Sequence, residues 1–170
     1  KALFRNPAIK IDSWISVDGG GGSIGVIVNA GTGSIRYKVI VRGPGGHSWA
    51  SFGLGNPHHL LARAVHYFDE AANVYTASGL KTSYNVGRIG GGTSVNSIPF
   101  ESWMEVDMRS EDPQRLNEIN EIFLKSVEHA RVEYNAQTQS KSPALTVDVQ
   151  RIGYRPSGTT PADQPLVKQS

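Results

Sequence analysis

The chain has 170 residues, 38% of them hydrophobic and 19% charged, with a formal net charge of +2. That composition describes one globular domain with a sizeable core rather than a disordered chain, and the near-neutral charge gives no electrostatic case for a nucleic-acid or membrane partner. There is no cysteine, which excludes a disulfide scaffold and a thiolate zinc site and fits a reducing, cytoplasmic compartment; no run approaches the roughly 20 apolar residues that span a bilayer, and no signal peptide is visible.

Asp12 to Val17 is a short apolar stretch, ended by Asp18 and a glycine cluster at 19–22. Ser34 to Arg42 then alternates, with Ile35, Tyr37, Val39 and Val41 on one side and Arg36, Lys38 and Arg42 on the other. A period of two predicts a half-buried strand. Asn56-Pro57 opens a helix, because Asn caps well and Pro is tolerated at the first helical position. Leu61, Val65, Phe68, Ala72 and Tyr75 follow at steps of four and three on one helical face, and Gly79 is the expected stop. Lys81 to Ile89 is a second, less regular strand. Phe100 to Arg109 is a third, with Phe100, Ser102, Met104, Val106 and Met108 facing one way. Asp112-Pro113 repeats the capping arrangement, and Leu116, Ile119, Phe123, Val127, Ala130 and Tyr134 mark a second amphipathic helix. Leu145, Val147 and Val149 alternate with Thr146, Asp148 and Gln150 in a fourth strand. The tail, 155–170, is rich in Pro, Thr and Gly and has no clear period. Strand, helix, strand, strand, helix, strand predicts an α+β, ferredoxin-like split βαβ fold, a four-stranded antiparallel sheet with both helices on one face.

Five histidines are candidates for chemistry, and none forms a metal pair on sight. His58 and His66 are too far apart along a helix to share an ion. His58, His59, His66 and His129 read as solvated or packing residues. His47 differs, since it follows a strand inside Gly43-Pro44-Gly45-Gly46-His47-Ser48. Glycines there allow close backbone approach to a ligand and expose the imidazole, although a turn histidine without a role fits the same spacing. Gly90-Gly91-Gly92-Thr93-Ser94-Val95-Asn96-Ser97-Ile98-Pro99 lacks the helix start of a phosphate loop. Asn96 offers an amide to a polar ligand or caps the turn. Arg109 offers a fork for a carboxylate, or forms a salt bridge with Asp107 or Glu111.

The run Tyr37 to Ser48, the segment Gly91-Gly92 through Asn96-Ser97-Ile98-Pro99, and Asp107-Met108-Arg109 occur in order and with the spacing of three lid motifs. Together they resemble the lid and dimerisation domain of the aminoacylase/peptidase T/glutamate carboxypeptidase family of co-catalytic zinc metallopeptidases, over about residues 13–152. The resemblance implies that His47 crosses the dimer interface and hydrogen-bonds the scissile carbonyl in the partner's active site. It implies that Asn96 and Arg109 bind substrate, the arginine through its carboxylate. Ile15-Ser16-Val17-Asp18-Gly19-Gly20 is similar to the strand end that supplies one carboxylate of the zinc pair, while a turn aspartate fits Asp18 equally well. On this reading 1–30 is a catalytic-domain remnant and connection, 31–154 the lid, and 155–170 the connection back. Two zinc ions are expected in the parent enzyme and none held tightly by this chain, because zinc takes about four ligands. The expected partners are a second copy of the chain and a small peptide or N-acyl amino acid. The competing reading is a stand-alone ferredoxin-like module for a small ligand or self-association, which leaves the three motifs unexplained.

Overall fold

The computed structural model describes residues 8, 10, 27–138 and 141–169. The chain divides into two compact units, one of Thr32–Gly158 and one of Lys1–Gly31 with Thr159–Ser170.

The larger unit is built on four ten-residue strands. Gly33–Arg42 (β2, after the short β1 at Ala30–Gly31) lies between Glu101–Ser110 (β6) and Thr146–Arg155 (β7), and Thr82–Gly91 (β4) flanks β6, giving the order β4-β6-β2-β7. Every neighbouring pair is antiparallel. Two-residue strands at Gly46–His47 (β3) and Ser97–Ile98 (β5) pair with each other in a separate small sheet. The period-two pattern decides which face is buried. Ile35, Tyr37, Val39 and Val41 of β2 and Met104, Val106 and Met108 of β6 all join the core. The alternate residues, Arg36 and Lys38 with Glu105, Asp107 and Arg109, lie on the open face.

Helix α1, Pro57–Thr76, starts as the sequence predicts, with the Asn56 side chain accepting from His58 N at 2.9 Å. Its buried stripe is Leu60, Leu61, Ala64, Phe68 and Ala72, while Val65 and Tyr75 are only partly buried. Arg115 closes its C-terminal end by donating to the Tyr75 and Ser78 carbonyls at 3.0 and 2.8 Å, the favoured place for a cation. Helix α2, Pro113–Thr138, is capped by Asp112, whose carboxylate accepts from Arg115 N at 2.7 Å. All six residues of its predicted face are buried. Phe123 holds the two layers together, stacked on Tyr37 at 5.2 Å and edge-on to Phe68 at 5.1 Å. Those contacts add about 0.5–1.5 kcal/mol each beyond area burial.

Phe100 departs from its predicted place on the core face, being 68% exposed just before β6 begins. The strand starts one residue later than the alternation suggests, so Phe100 is set by the loop and not by the pleat. In the tail, Gly158–Thr159 (β8) pairs with β1, Asn29 and Thr160 exchange hydrogen bonds of 2.7 and 2.9 Å, and Pro165–Gln169 forms a short helix, α3.

Candidate functional site

The loop after β2 is held against the start of β6, where Gly43 N donates to Phe100 O at 3.0 Å. Gly45 then turns with φ +65°, and a Cβ placed there would lie 2.5 Å from the Phe100 ring. Only glycine suits both the backbone angle and the ring lying across it. The chain next enters β3, whose His47 pairs with Ser97 and Gly46 with Ile98. Ser48 N extends the ladder with a 2.9 Å bond to Asn96 O. Two of the three sequence motifs thus meet backbone to backbone.

The His47 imidazole is exposed, and its Nδ1 accepts from Trp49 N at 3.3 Å and Ala50 N at 3.4 Å. With Nδ1 used as an acceptor, the neutral ring carries its proton on Nε2. Asn96 is orientated in a similar way. Its Oδ1 accepts from the Ser94 hydroxyl at 2.9 Å, and Ser94 also meets the Ser97 hydroxyl at 2.8 Å. The Asn96 amide N–H groups have no acceptor among the described residues. His47 and Asn96 thus each keep an N–H donor while their acceptor atoms are engaged, and such a donor suits a carbonyl or a developing oxyanion.

Arg109 lies elsewhere. It is the ninth residue of β6 and pairs with Ser34 and Ser83, whereas β6 begins at Glu101 beside the His47 loop. At about 3.3 Å per residue Glu101 and Arg109 are roughly 26 Å apart along β6. The Arg109 Nε donates to Asp107 Oδ2 at 2.6 Å, and Arg36 Nε donates to the other oxygen at 2.7 Å. Of the two salt-bridge partners expected from sequence, Asp107 is the one used. Burial pushes the Asp107 carboxyl up, but hydrogen bonds from Arg36 and Arg109 outweigh it and hold its pKa below the ordinary 3.8. The terminal Nη groups of Arg109 make no hydrogen bond among the described residues, so the fork remains open to a carboxylate. The same face carries Trp103, with Lys38 and Arg88 at 5.0 and 5.3 Å from its ring.

Sequence reasoning missed His58. Its Nδ1 lies 2.7 Å from the Ser102 hydroxyl, which in turn donates to Gly90 O at 3.4 Å. This link ties the first turn of α1 to β6 and to the glycine turn ahead of Asn96. No local pattern connects residues 58 and 102. His66 pairs with Glu70 at 3.5 Å, and His129 packs on Tyr67 at 4.7 Å, both consistent with surface and packing roles. A shallow groove between the helices, lined by Tyr67, Glu70, Ile122, Lys125 and His129, contains none of the predicted site residues. Asp18 lies outside the described residues. Among the described residues no three His, Asp or Glu come together to hold a metal ion, so they do not fit a zinc pair. No described helix is long and apolar enough to cross a membrane.

A family model described as a peptidase dimerisation domain matches residues 29–135. No curated protein matches the chain. Among solved structures, the AtUAH protein in complex with (S)-hydroxyglycine aligns with a TM-score of 0.67 at 19% identity, covering 82% of this chain and 31% of that one. An amidase of the hydantoinase/carbamoylase family from Burkholderia phymatum aligns with a TM-score of 0.62 at 17% identity, covering 79% of this chain and 32% of that one. The aminobenzoyl-glutamate utilization protein from Klebsiella pneumoniae gives 0.61 at 17% identity, with 79% and 31% coverage. At these identities the likeness shows the fold. The chain spans about a third of the length of each of these proteins.

Proposed function

The chain belongs to the peptidase dimerisation domain family, and from that premise we propose that it is the dimerisation and substrate-clamping domain of a zinc-dependent amidohydrolase or exopeptidase. The substrates are small peptides or N-acyl amino acids, and the chain alone is inactive. Residues 31–154 are the lid, and the flanking segments connect it to a catalytic domain. Zinc ligands beyond Asp18, and the general base, belong to that domain, so no step through the metal is assigned to the residues described. Asp18 as a ligand rests on the resemblance of its strand end.

One observation supports the reading, which is that the β3–β5 ladder joins the His47 and Asn96 loops backbone to backbone while the acceptor atom of each side chain is already bonded. His47 donates to the scissile carbonyl oxygen, and the bond strengthens as that oxygen gains charge. Losing one such donor costs about 100- to 1000-fold in kcat. Arg109 receives the substrate carboxylate on its open Nη pair. A carboxylate is charged in ground and transition states alike, so Arg109 acts mainly on KM.

The roughly 26 Å along β6 between Glu101 and Arg109 supports dividing these roles between chains. A dipeptide spans about 7 Å, so His47 and Arg109 of one chain do not reach the same substrate. His47 comes from one protomer and Arg109 from the other. Mixing full-length His47→Ala and Arg109→Ala proteins tests this. In the mixed dimer, one site combines an intact Arg109 with the partner's intact His47, and the other site lacks both. Activity returns to about half of wild type per mixed dimer. No recovery, with subunit exchange confirmed by mass spectrometry, would sink the divided site.

A further inference from the structure

On the open sheet face one acid is shared by two bases. Arg36 lies opposite Asp107 across the β2–β6 pair, and Arg109 stands two residues further along β6 on the same face. Arg36 Nε donates to Asp107 Oδ1 at 2.7 Å and Arg109 Nε to Oδ2 at 2.6 Å, so each arginine uses one oxygen of the carboxylate. Among the described residues Asp107 is the one acid on which two arginines converge. Neither arginine is hydrogen-bonded through its Nη groups among the described residues, so each keeps its outer donors. The Arg36 stem is confined on its other side by the backbone of β7, where a Cβ placed on Gly153 would lie 3.3 Å from Arg36 Cδ.

Charge gives the second arginine a purpose. A guanidinium bonded to a carboxylate at 2.6 Å forms a neutral pair, and a neutral pair attracts an anion only weakly. The Asp107 carboxylate also repels any second carboxylate brought up to Arg109. Its carboxyl is pushed up by burial but held below 3.8 by the hydrogen bonds from the two arginines, so protonation does not relieve that repulsion near neutral pH. With Arg36 in place, two guanidiniums and one carboxylate leave a single net positive charge, the complement of one substrate carboxylate. Stability gives no comparable account. The Arg36 and Arg109 side chains are 48% and 41% exposed, and ion pairs this open to solvent contribute little to folding.

We infer that Arg36 and Asp107 are positioning residues for Arg109. Asp107 fixes the guanidinium through Nε and leaves its Nη groups free. Arg36 offsets the charge of Asp107, so that the fork meets the substrate as a cation. This rests on the reading that Arg109 receives the substrate carboxylate. Removing a unit charge about 7 Å from that carboxylate, the diagonal spacing of cross-strand neighbours, weakens binding by roughly three- to tenfold near a protein surface.

The test uses the full-length protein and one N-acyl amino acid, offered as the free acid and as its carboxamide, which keeps the scissile bond and removes the charge. Arg36→Gln is expected to raise KM for the acid by roughly three- to tenfold, with kcat within about twofold and KM for the carboxamide unchanged. The loss should shrink at about 0.5 M salt, where exposed charges are screened. Arg36→Lys keeps the charge and should stay within about twofold of wild type. Arg36→Gln combined with Asp107→Asn should bring KM for the acid back, because Arg109 then keeps a neutral acceptor for Nε and its own net charge. Circular dichroism verifies folding. Should Arg36→Gln alone fail to fold, the comparison is made between Asp107→Asn and the double variant, where losing Arg36 again raises KM for the acid only. An equal rise for acid and carboxamide, or no rise for either, overturns the inference, as does a KM that stays high in the double variant. Arg109→Ala separates the two readings. If it abolishes the preference for acid over carboxamide while Arg36→Gln leaves that preference intact, only this inference falls. If Arg109→Ala leaves the preference intact, Arg109 is not the partner of the carboxylate and both fall.

Discussion

Gly91 is the position where a single methyl group should do most damage. It ends β4 with φ +126°, and a Cβ there would lie 2.4 Å from Glu101 O and 2.8 Å from Ser102 Cα. Both clashing atoms are backbone of β6, so no rotamer change relieves the overlap. The backbone angle alone costs roughly 1–3 kcal/mol for a residue with a side chain. Moving β4 aside sacrifices the Gly91–Ser102 rung, worth about 1 kcal/mol in net hydrogen bonding. Gly91→Ala should therefore destabilise by about 3 kcal/mol, which for a chain of this size lowers Tm by roughly 6–12 °C. Thermal unfolding followed by circular dichroism measures this. Gly158→Ala is the matched control, because nothing lies within 4 Å of its added Cβ; it should change stability by less than about 1 kcal/mol. Equal melting temperatures for the two variants would refute the argument. The same displacement would carry away the loop that presents Asn96.

Phe123, fully buried between Tyr37 and Phe68, should cost about 3–5 kcal/mol when cut to alanine, read from the urea midpoint at unchanged slope. Asp107 has a folded pKa below 3.8, so its contribution is fully present above the unfolded value and lost as pH falls through the folded one. Asp107→Asn should flatten the loss of stability below about pH 4, and an unchanged acid profile would argue against the Arg36–Asp107–Arg109 bridge. The edge strand β4, next to α1 and carrying Ile89 at 59% exposure, is the expected dimer seam. Light scattering should give about twice 18.4 kDa, and Ile89→Lys should return the chain to monomer.

The main sheet and both long helices are legible in the sequence because each repeats its period long enough to count. β6 alternates over ten residues and β2 over Ile35–Val39, and α2 repeats its apolar step from Leu116 to Tyr134. Asn56-Pro57 and Asp112-Pro113 mark helix starts through side-chain chemistry alone. His47 and Asn96 are nameable for a different reason, since they stand in or beside glycine-rich loops where the strand pattern breaks, whereas Arg109 closes a strand and is named by its motif. Their grouping is not legible. β3 and β5 have two residues each, too short for any period, and their pairing depends on how β2 and β6 align across the sheet. In sequence Asn96 is thirteen positions from Arg109, whereas the fold bonds its carbonyl to Ser48, next to His47. His58 and Ser102 meet only because α1 crosses the start of β6. Phe100 shows the converse, an apolar residue in phase with a strand that has not yet begun.

A site divided between chains has a kinetic consequence that needs no mutation. If His47 and Arg109 act on one substrate only across a dimer, a monomer has no complete site. Specific activity then follows the fraction of chains that are paired. For simple dimerisation, half of the chains are paired when total chain concentration equals the dimer Kd. Specific activity of the full-length protein should therefore fall to half at that concentration, and in direct proportion to concentration well below it. The dimer Kd comes independently from sedimentation of labelled protein, so the two curves carry no shared fitted parameter. Ile89→Lys should shift both curves to higher concentration by the same factor if it acts only on the β4 edge. A specific activity that stays constant through the dissociation range would mean that each chain supplies both groups to its own substrate. The roughly 26 Å separation along β6 would then have to close by refolding of the His47 loop.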